Sequence, residues 1–136
     1  MNPATPHYKH KTVLLIDDNK IDNFINERII KNNLFAENVF VHTSVNSALE
    51  YFKNFNQTDK TLPVLIPDYI FLDLNMPLMD GWAFLQEFEK LKLPVTCKII
   101  ILSASVNPED ISRAMKFKGV KDYFFKPLTT VLLSSL

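Results

Sequence analysis

Four strand-like runs in this chain each stop at a residue suited to chemistry. Thr12-Val13-Leu14-Leu15-Ile16 ends at Asp17-Asp18, and Tyr69-Ile70-Phe71-Leu72 ends at Asp73. Lys98-Ile99-Ile100-Ile101-Leu102 ends at Ser103, and Lys121-Asp122-Tyr123-Phe124-Phe125 ends at Lys126. A short apolar run bounded by turn signals reads as a buried strand. A carboxylate where such a strand runs out is costly unless it is solvated, paired or holding a metal. Val39-Phe40-Val41 supplies a fifth strand, without such an ending.

Helical patterns separate the strands. From Lys20 to Asn32, Ile21, Phe24, Ile25 and Ile29 share one helical face, and Thr43-Ser44 can cap a helix carrying Val45, Ala48, Leu49 and Phe52. A polar, proline-bounded connection from Asn54 to Pro67 leads to the third strand. Trp82, Leu85 and Phe88 make the stripe of the next helix, which Pro94 closes. Asn107-Pro108-Glu109-Asp110 is a strong helix start, with a capping Asn, a proline in the first turn and acids near the positive dipole end. Ile111, Ala114 and Met115 continue that helix, and Gly119 suits its stop. The tail Leu128 to Leu136 has room for about two helical turns. Strand-helix alternation repeated five times predicts an α/β domain: a parallel sheet, helices on both faces, and right-handed crossovers.

Composition narrows the function classes. The 136 residues suit one domain, and the formal net charge is zero, which argues against a nucleic-acid surface built on bulk charge. The single cysteine, Cys97, excludes an internal disulfide framework, suits a reducing compartment and reads as an inert, partly buried thiol. The first residues lack a signal-peptide pattern, and no apolar run approaches membrane-spanning length. The expectation is a cytoplasmic protein with neither a membrane nor a nucleic-acid partner. Residues 1–11 read as a flexible N-terminal arm, in which His7 and His10 are poorly placed to preorganise a metal.

Open parallel sheets bind ligands beyond the carboxyl ends of their strands. That places Asp17, Asp18, Asp73, Ser103 and Lys126 along one edge. Three carboxylates there need a counter-charge, and Mg²⁺, held by carboxylates, waters and phosphate oxygens, supplies one. With the Ser103 hydroxyl and the Lys126 ammonium added, the edge suits a phosphoryl group. Asp73 is then the nucleophile that forms an aspartyl phosphate, and the adjacent Asp17-Asp18 pair is the metal holder. Each residue also has a plainer reading. Asp17 and Asp18 can cap the first helix, Ser103 can be a turn residue, Lys126 a solvated surface lysine, and Tyr123 a half-buried strand aromatic.

Together, Asp17-Asp18, the run Asp73-Leu74-Asn75-Met76-Pro77 with Met79-Asp80-Gly81, Ser103-Ala104 and Tyr123-Phe124-Phe125-Lys126-Pro127 resemble a two-component response regulator receiver domain, of the single-domain kind similar to chemotaxis regulators. Each motif alone is weak, but the ordered set over residues 12–136 is specific. The resemblance implies a flavodoxin-like five-stranded sheet in the order 2-1-3-4-5. It implies that Asp73 accepts phosphate from a phosphohistidine on a sensor histidine kinase or a histidine phosphotransfer protein. Asp18, Asp73 and the Asn75 backbone carbonyl would bind Mg²⁺, with Asp17 helping through a water. Ser103 and Lys126 would engage the phosphoryl oxygens, Ser103 and Tyr123 would form the switch, and a cis peptide would precede Pro127. Output would pass through an unknown downstream protein, from a monomer or weak homodimer whose last helix is short for the family.

Three other functions compete. A phosphohydrolase of the haloacid dehalogenase type needs a second acid two residues after its nucleophile, and here that position is Asn75, which cannot exchange a proton near neutral pH. A flavin carrier needs a phosphate-cradling loop after the first strand, where Asp17-Asp18 would repel a phosphate. A constitutive pseudo-receiver, acting only as an interaction module, would not need the full set of site residues.

Overall fold

The computed structural model describes residues 6–57, 66–78, 80–91 and 97–136. The elements in chain order are β1 (His10–Ile16), α1 (Lys20–Asn32), β2 (Ala36–His42), α2 (Val45–Gln57) and β3 (Tyr69–Leu72). They continue with α3 (Gly81–Lys90), β4 (Lys98–Ser103), α4 (Pro108–Met115), β5 (Val120–Phe125) and α5 (Thr130–Ser134). All strand pairings are parallel, in the order β2-β1-β3-β4-β5. This is the flavodoxin-like α/β architecture expected from the sequence.

Alternation along the central strands splits the core into two layers. Leu14, Ile16, Ile70, Leu72, Ile99 and Ile101 face α2, α3 and α4, where Val45, Ala48, Phe52, Phe84, Leu85 and Ala114 meet them. Val13, Leu15, Phe71, Ile100, Leu102 and Phe124 face the other way, against Ile30 of α1 and Leu133 of α5. Burying a side chain of this size contributes about 1.5–3 kcal/mol, so β1, β3 and β4 form a stiff platform. Tyr69 is buried in it because its hydroxyl accepts a hydrogen bond from Lys121 Nζ at 3.2 Å. No helix among the described residues is long and apolar enough to cross a membrane.

The structure departs from the sequence reading at several places. Strand β1 begins at His10, so the last two residues of the expected arm are in the sheet. Lys9 and His10 donate backbone hydrogen bonds to Leu34 and Phe35, and the His10 ring lies 4.8 Å from that of Phe35 and 5.0 Å from that of Tyr69. Helix α2 extends through Gln57, taking in the first part of the connection expected from Asn54; residues 58–65 of that connection lie outside the described residues, as does Pro94. Gly119 does not stop α4, which ends at Met115 and is capped by Lys116 in ordinary right-handed backbone. Gly119 instead lies against Ile99, whose amide donates to its carbonyl at 2.8 Å.

The largest departure is the orientation of α1. Three of the four residues of its apolar stripe face outward, Ile21 being 71 %, Phe24 61 % and Ile25 45 % exposed, while Ile29 packs against the core. The sheet-facing positions are Asn23, Asn26 and Ile30. Periodicity finds the apolar face of a helix, and it is silent on which face the sheet covers.

Candidate functional site

Sheet hydrogen bonds continue one step past the strand ends and fix the backbone of the candidate residues. The Asp17 amide donates to His42 O at 3.1 Å, the Asp73 amide to Ile16 O at 2.9 Å, and the Lys126 amide to Ser103 O at 2.9 Å. Asp17, Asp73 and Lys126 are thus each the first residue beyond a strand, held by the neighbouring strand, while Ser103 is the last residue of β4. The turns after the acids are closed by the acids themselves. Asp17 Oδ1 accepts from the Asn19 amide at 2.9 Å, and Asp73 Oδ1 accepts from the Asn75 amide at 3.3 Å.

Helix α3 is brought close to the third strand by Gly81. A Cβ at Gly81 would clash with the Asp73 carbonyl oxygen and lie 2.8 Å from Leu74 Cα. Only glycine permits that approach. Its amide donates to Leu74 O at 3.1 Å, and Asp80 caps the helix by accepting from the Ala83 amide at 3.1 Å.

The three acids converge. Asp17, Asp18 and Asp73 each offer a carboxylate oxygen within 4.8 Å of the others. Asp17 and Asp73 are buried, while Asp18 is exposed. Two unit charges at such a separation repel by about 3–4 kcal/mol at an effective dielectric near 20. Burial, then the Asp17 carboxylate, push Asp73 up to about 6, against the opposing pull of Lys126.

Lys126 is the cation of the cluster. Its ammonium donates to Asp17 Oδ2 at 2.8 Å and Asp22 Oδ2 at 3.0 Å, and lies 3.6 Å from Asp73 Oδ2. Burial disfavours its charge, but the hydrogen bonds with Asp17 and Asp22 and the field of Asp73 outweigh burial and raise its pKa. The Lys126–Pro127 peptide is cis.

Ser103, fully buried, is at the end of β4, and its hydroxyl accepts from the Ser105 amide at 3.1 Å. Tyr123 points inward far enough for its hydroxyl to donate to the Ser105 carbonyl at 2.9 Å. Asn75 is exposed, two residues past Asp73. Cys97 is buried away from these groups, and burial pushes its thiol up to about 12.

Three residues near the site were not singled out from the sequence. Asp22 is the second acid on Lys126. Asn23 donates from Nδ2 to the Asp17 carbonyl at 2.8 Å, bracing the turn from inside. Asn23 and Asn26, with Asp17 and Asp73, line a cavity of about 10 Å³, close to the room one water needs. Their spacing was the available signal. Asn23, Asn26 and Ile30 recur at intervals of three and four, a helical face as regular as the apolar one.

Comparison with known proteins identifies the family and matches the fold. Residues 13–135 match the family model of the response regulator receiver domain. The chain is 30% identical over 129 residues to the sensor histidine kinase CheAY of Helicobacter pylori, covering 91% of this chain and 15% of that protein. It is 32% identical over 119 residues to the probable C4-dicarboxylate response regulator DctR of Bacillus subtilis, covering 88% of this chain and 47% of that one. The chain therefore spans less than half the length of these two curated relatives. The crystal structure of a two-component response regulator from Cytophaga hutchinsonii superposes with a TM-score of 0.82 at 30% identity, covering 95% of this chain and 94% of that one. The chain belongs to the response regulator receiver domain family.

Proposed function

We propose that this chain is a phosphoacceptor: Asp73 takes a phosphoryl group from a phosphohistidine with Mg²⁺ bound beside it, and the product signals by protein contact. The observation that carries this reading is the convergence of Asp17, Asp18 and Asp73 within 4.8 Å, with Lys126 as the cation among them. One ammonium cannot neutralise three carboxylates, and a small hard dication bound by oxygens can. Asp18, Asp73 and the Asn75 carbonyl would hold it, with Asp17 acting through a water. When bound it supplies charge neutralisation for the incoming phosphoryl oxygens.

In the transfer, an Asp73 carboxylate oxygen bonds to phosphorus as the phosphorus–nitrogen bond of the phosphohistidine breaks. The electron pair leaves with the imidazole nitrogen, which is protonated from solvent. Asp73 must be ionised to attack; burial and the Asp17 carboxylate hold it at about 6 in the metal-free protein, and Mg²⁺ beside it would favour the ionised, reactive form. Ser103 donates its hydroxyl to a phosphoryl oxygen, and Lys126 pairs with another. Both then bias a two-state equilibrium that Tyr123 transmits toward α4, β5 and α5. The chain turns over no separate substrate in this account; it promotes its own phosphorylation and dephosphorylation.

The partner surface follows from α1. Its N-cap Asn19 follows Asp17 and Asp18, and its exposed Ile21, Phe24 and Ile25 form an apolar strip beginning at that edge. An apolar strip on a helix beside the acceptor suits packing against helices of a phosphohistidine-bearing bundle. The test is transfer of labelled phosphate from a phosphorylated histidine kinase. Label should move to the chain only with Mg²⁺ and should be lost in Phe24→Asp by weakened docking. Uptake that survives chelation would contradict the reading.

A further inference from the structure

The Lys126 ammonium has three protons to donate. Two are committed to Asp17 and Asp22, at 2.8 and 3.0 Å, while the Asp73 oxygen at 3.6 Å lies outside hydrogen-bonding range. Asp22 stands apart from the three-acid cluster. It belongs to the first turn of α1, and its amide is fixed to the capping Asn19 Oδ1 at 3.0 Å. Its backbone is thus fixed in the first turn of α1, from which its carboxylate reaches the Lys126 ammonium at 3.0 Å. Among the described residues, Asp22 is the one ion-pair partner of this ammonium outside the acid cluster.

We propose that Asp22 is a positioning residue that restrains Lys126 on the α1 side, so that a phosphoryl group on Asp73 must compete with Asp22 for the ammonium. The inference rests on the phosphoacceptor reading and adds a control on it. Two effects act in the same direction. Asp22 retains a donor that the phosphoryl oxygens need, and its negative charge opposes the arrival of more negative charge nearby. The α1 end therefore sets how readily the site fills, through a residue that touches neither the metal cluster nor the acceptor.

The pair is partly open to water, with the Asp22 side chain 37% and that of Lys126 20% exposed. Releasing such a pair is worth a modest factor, roughly 2–5-fold in occupancy. The experiment measures the affinity of the full chain for beryllofluoride, a phosphoryl mimic, at saturating Mg²⁺ by fluorine NMR. It also measures the rate of phosphorylation by a small acyl phosphate. Asp22→Asn should bind beryllofluoride roughly 2–5-fold tighter and be phosphorylated faster by a similar factor. Asp22→Glu, which restores the charge, should return both towards the wild-type values. A merely structural residue would not give tighter binding on removal. Wild-type binding with equal or weaker binding by Asp22→Asn would overturn the inference and leave the phosphoacceptor reading standing. No binding by the wild type, with its fold intact, would overturn both.

Discussion

Lys126 lies nearer to Asp17, at 2.8 Å, than to the proposed acceptor Asp73, at 3.6 Å. The lysine is therefore first the counter-ion of Asp17, and in the proposed reaction it would shift its hydrogen bonds to meet a phosphoryl group. It is also the electrostatic brace of the metal-free site, since Asp17 and Asp73 are both buried beside it.

Removing that brace is expected to weaken the fold. Lys126→Ala strands two buried carboxylates without their cation, at a cost of about 3 kcal/mol in unfolding free energy without metal. Mg²⁺ should recover much of the loss, because it supplies the missing positive charge. Urea denaturation with and without Mg²⁺ measures both quantities, and phosphoryl uptake should stay defective in either condition.

Asp73→Asn should do the opposite. The acid's ordinary value is 3.8, and the folded chain raises it to about 6, so between those pH values the folded state binds more protons than the unfolded one. Stability therefore falls as pH rises through that window, and the full penalty, up to about 3 kcal/mol, is present above it. The variant should be more stable than the wild type by about 1–3 kcal/mol at pH 7 without metal, and the gain should vanish below pH 4. Thermal unfolding across that pH range checks the sign.

Mg²⁺ binding should follow the same ionisation. At pH 7.5 millimolar Mg²⁺ should raise the unfolding midpoint of the wild type, since a ligand that binds only the folded state stabilises it. The rise should shrink below the Asp73 value of about 6, where the carboxylate takes a proton, and should be largely lost in Asp18→Asn. Differential scanning calorimetry at the two pH values provides the comparison.

The two glycines should respond unequally to alanine. At Gly81 the added methyl meets backbone atoms of Asp73 and Leu74, which cannot swing aside, so Gly81→Ala should cost about 1–3 kcal/mol and lower Mg²⁺ affinity by displacing Asp73. At Gly119 the nearest atom is Ile99 Cδ1 at 3.3 Å, the end of a side chain, and the loss should be under about 1 kcal/mol. Equilibrium unfolding of both variants, with a Mg²⁺ titration of the first, tests the contrast.

The fold was legible because its strands announce themselves: Ile99 to Leu102 and Tyr69 to Leu72 have no other reasonable home than a sheet covered on both faces. The gathering of Asp17, Asp18, Asp73 and Lys126 followed from topology, since parallel strands deliver their ends to one edge. What sequence could not supply was orientation about a helix axis. Ile21, Phe24 and Ile25 had the periodicity of a core face and turned out exposed, while the buried Asn23 brings its amide to the Asp17 carbonyl. Asp22 was invisible for the same reason: its bond to Lys126 spans 104 residues, and only the fold brings that lysine to the first turn of α1.

The central claim, that Asp73 accepts a phosphoryl group under Mg²⁺, is tested most directly by intact mass after incubation with a small acyl phosphate. Wild type should gain one phosphoryl mass, lost on treatment with base. The gain should be absent with chelator and absent in Asp73→Asn. An equal gain in Asp73→Asn, or in wild type stripped of Mg²⁺, would contradict it.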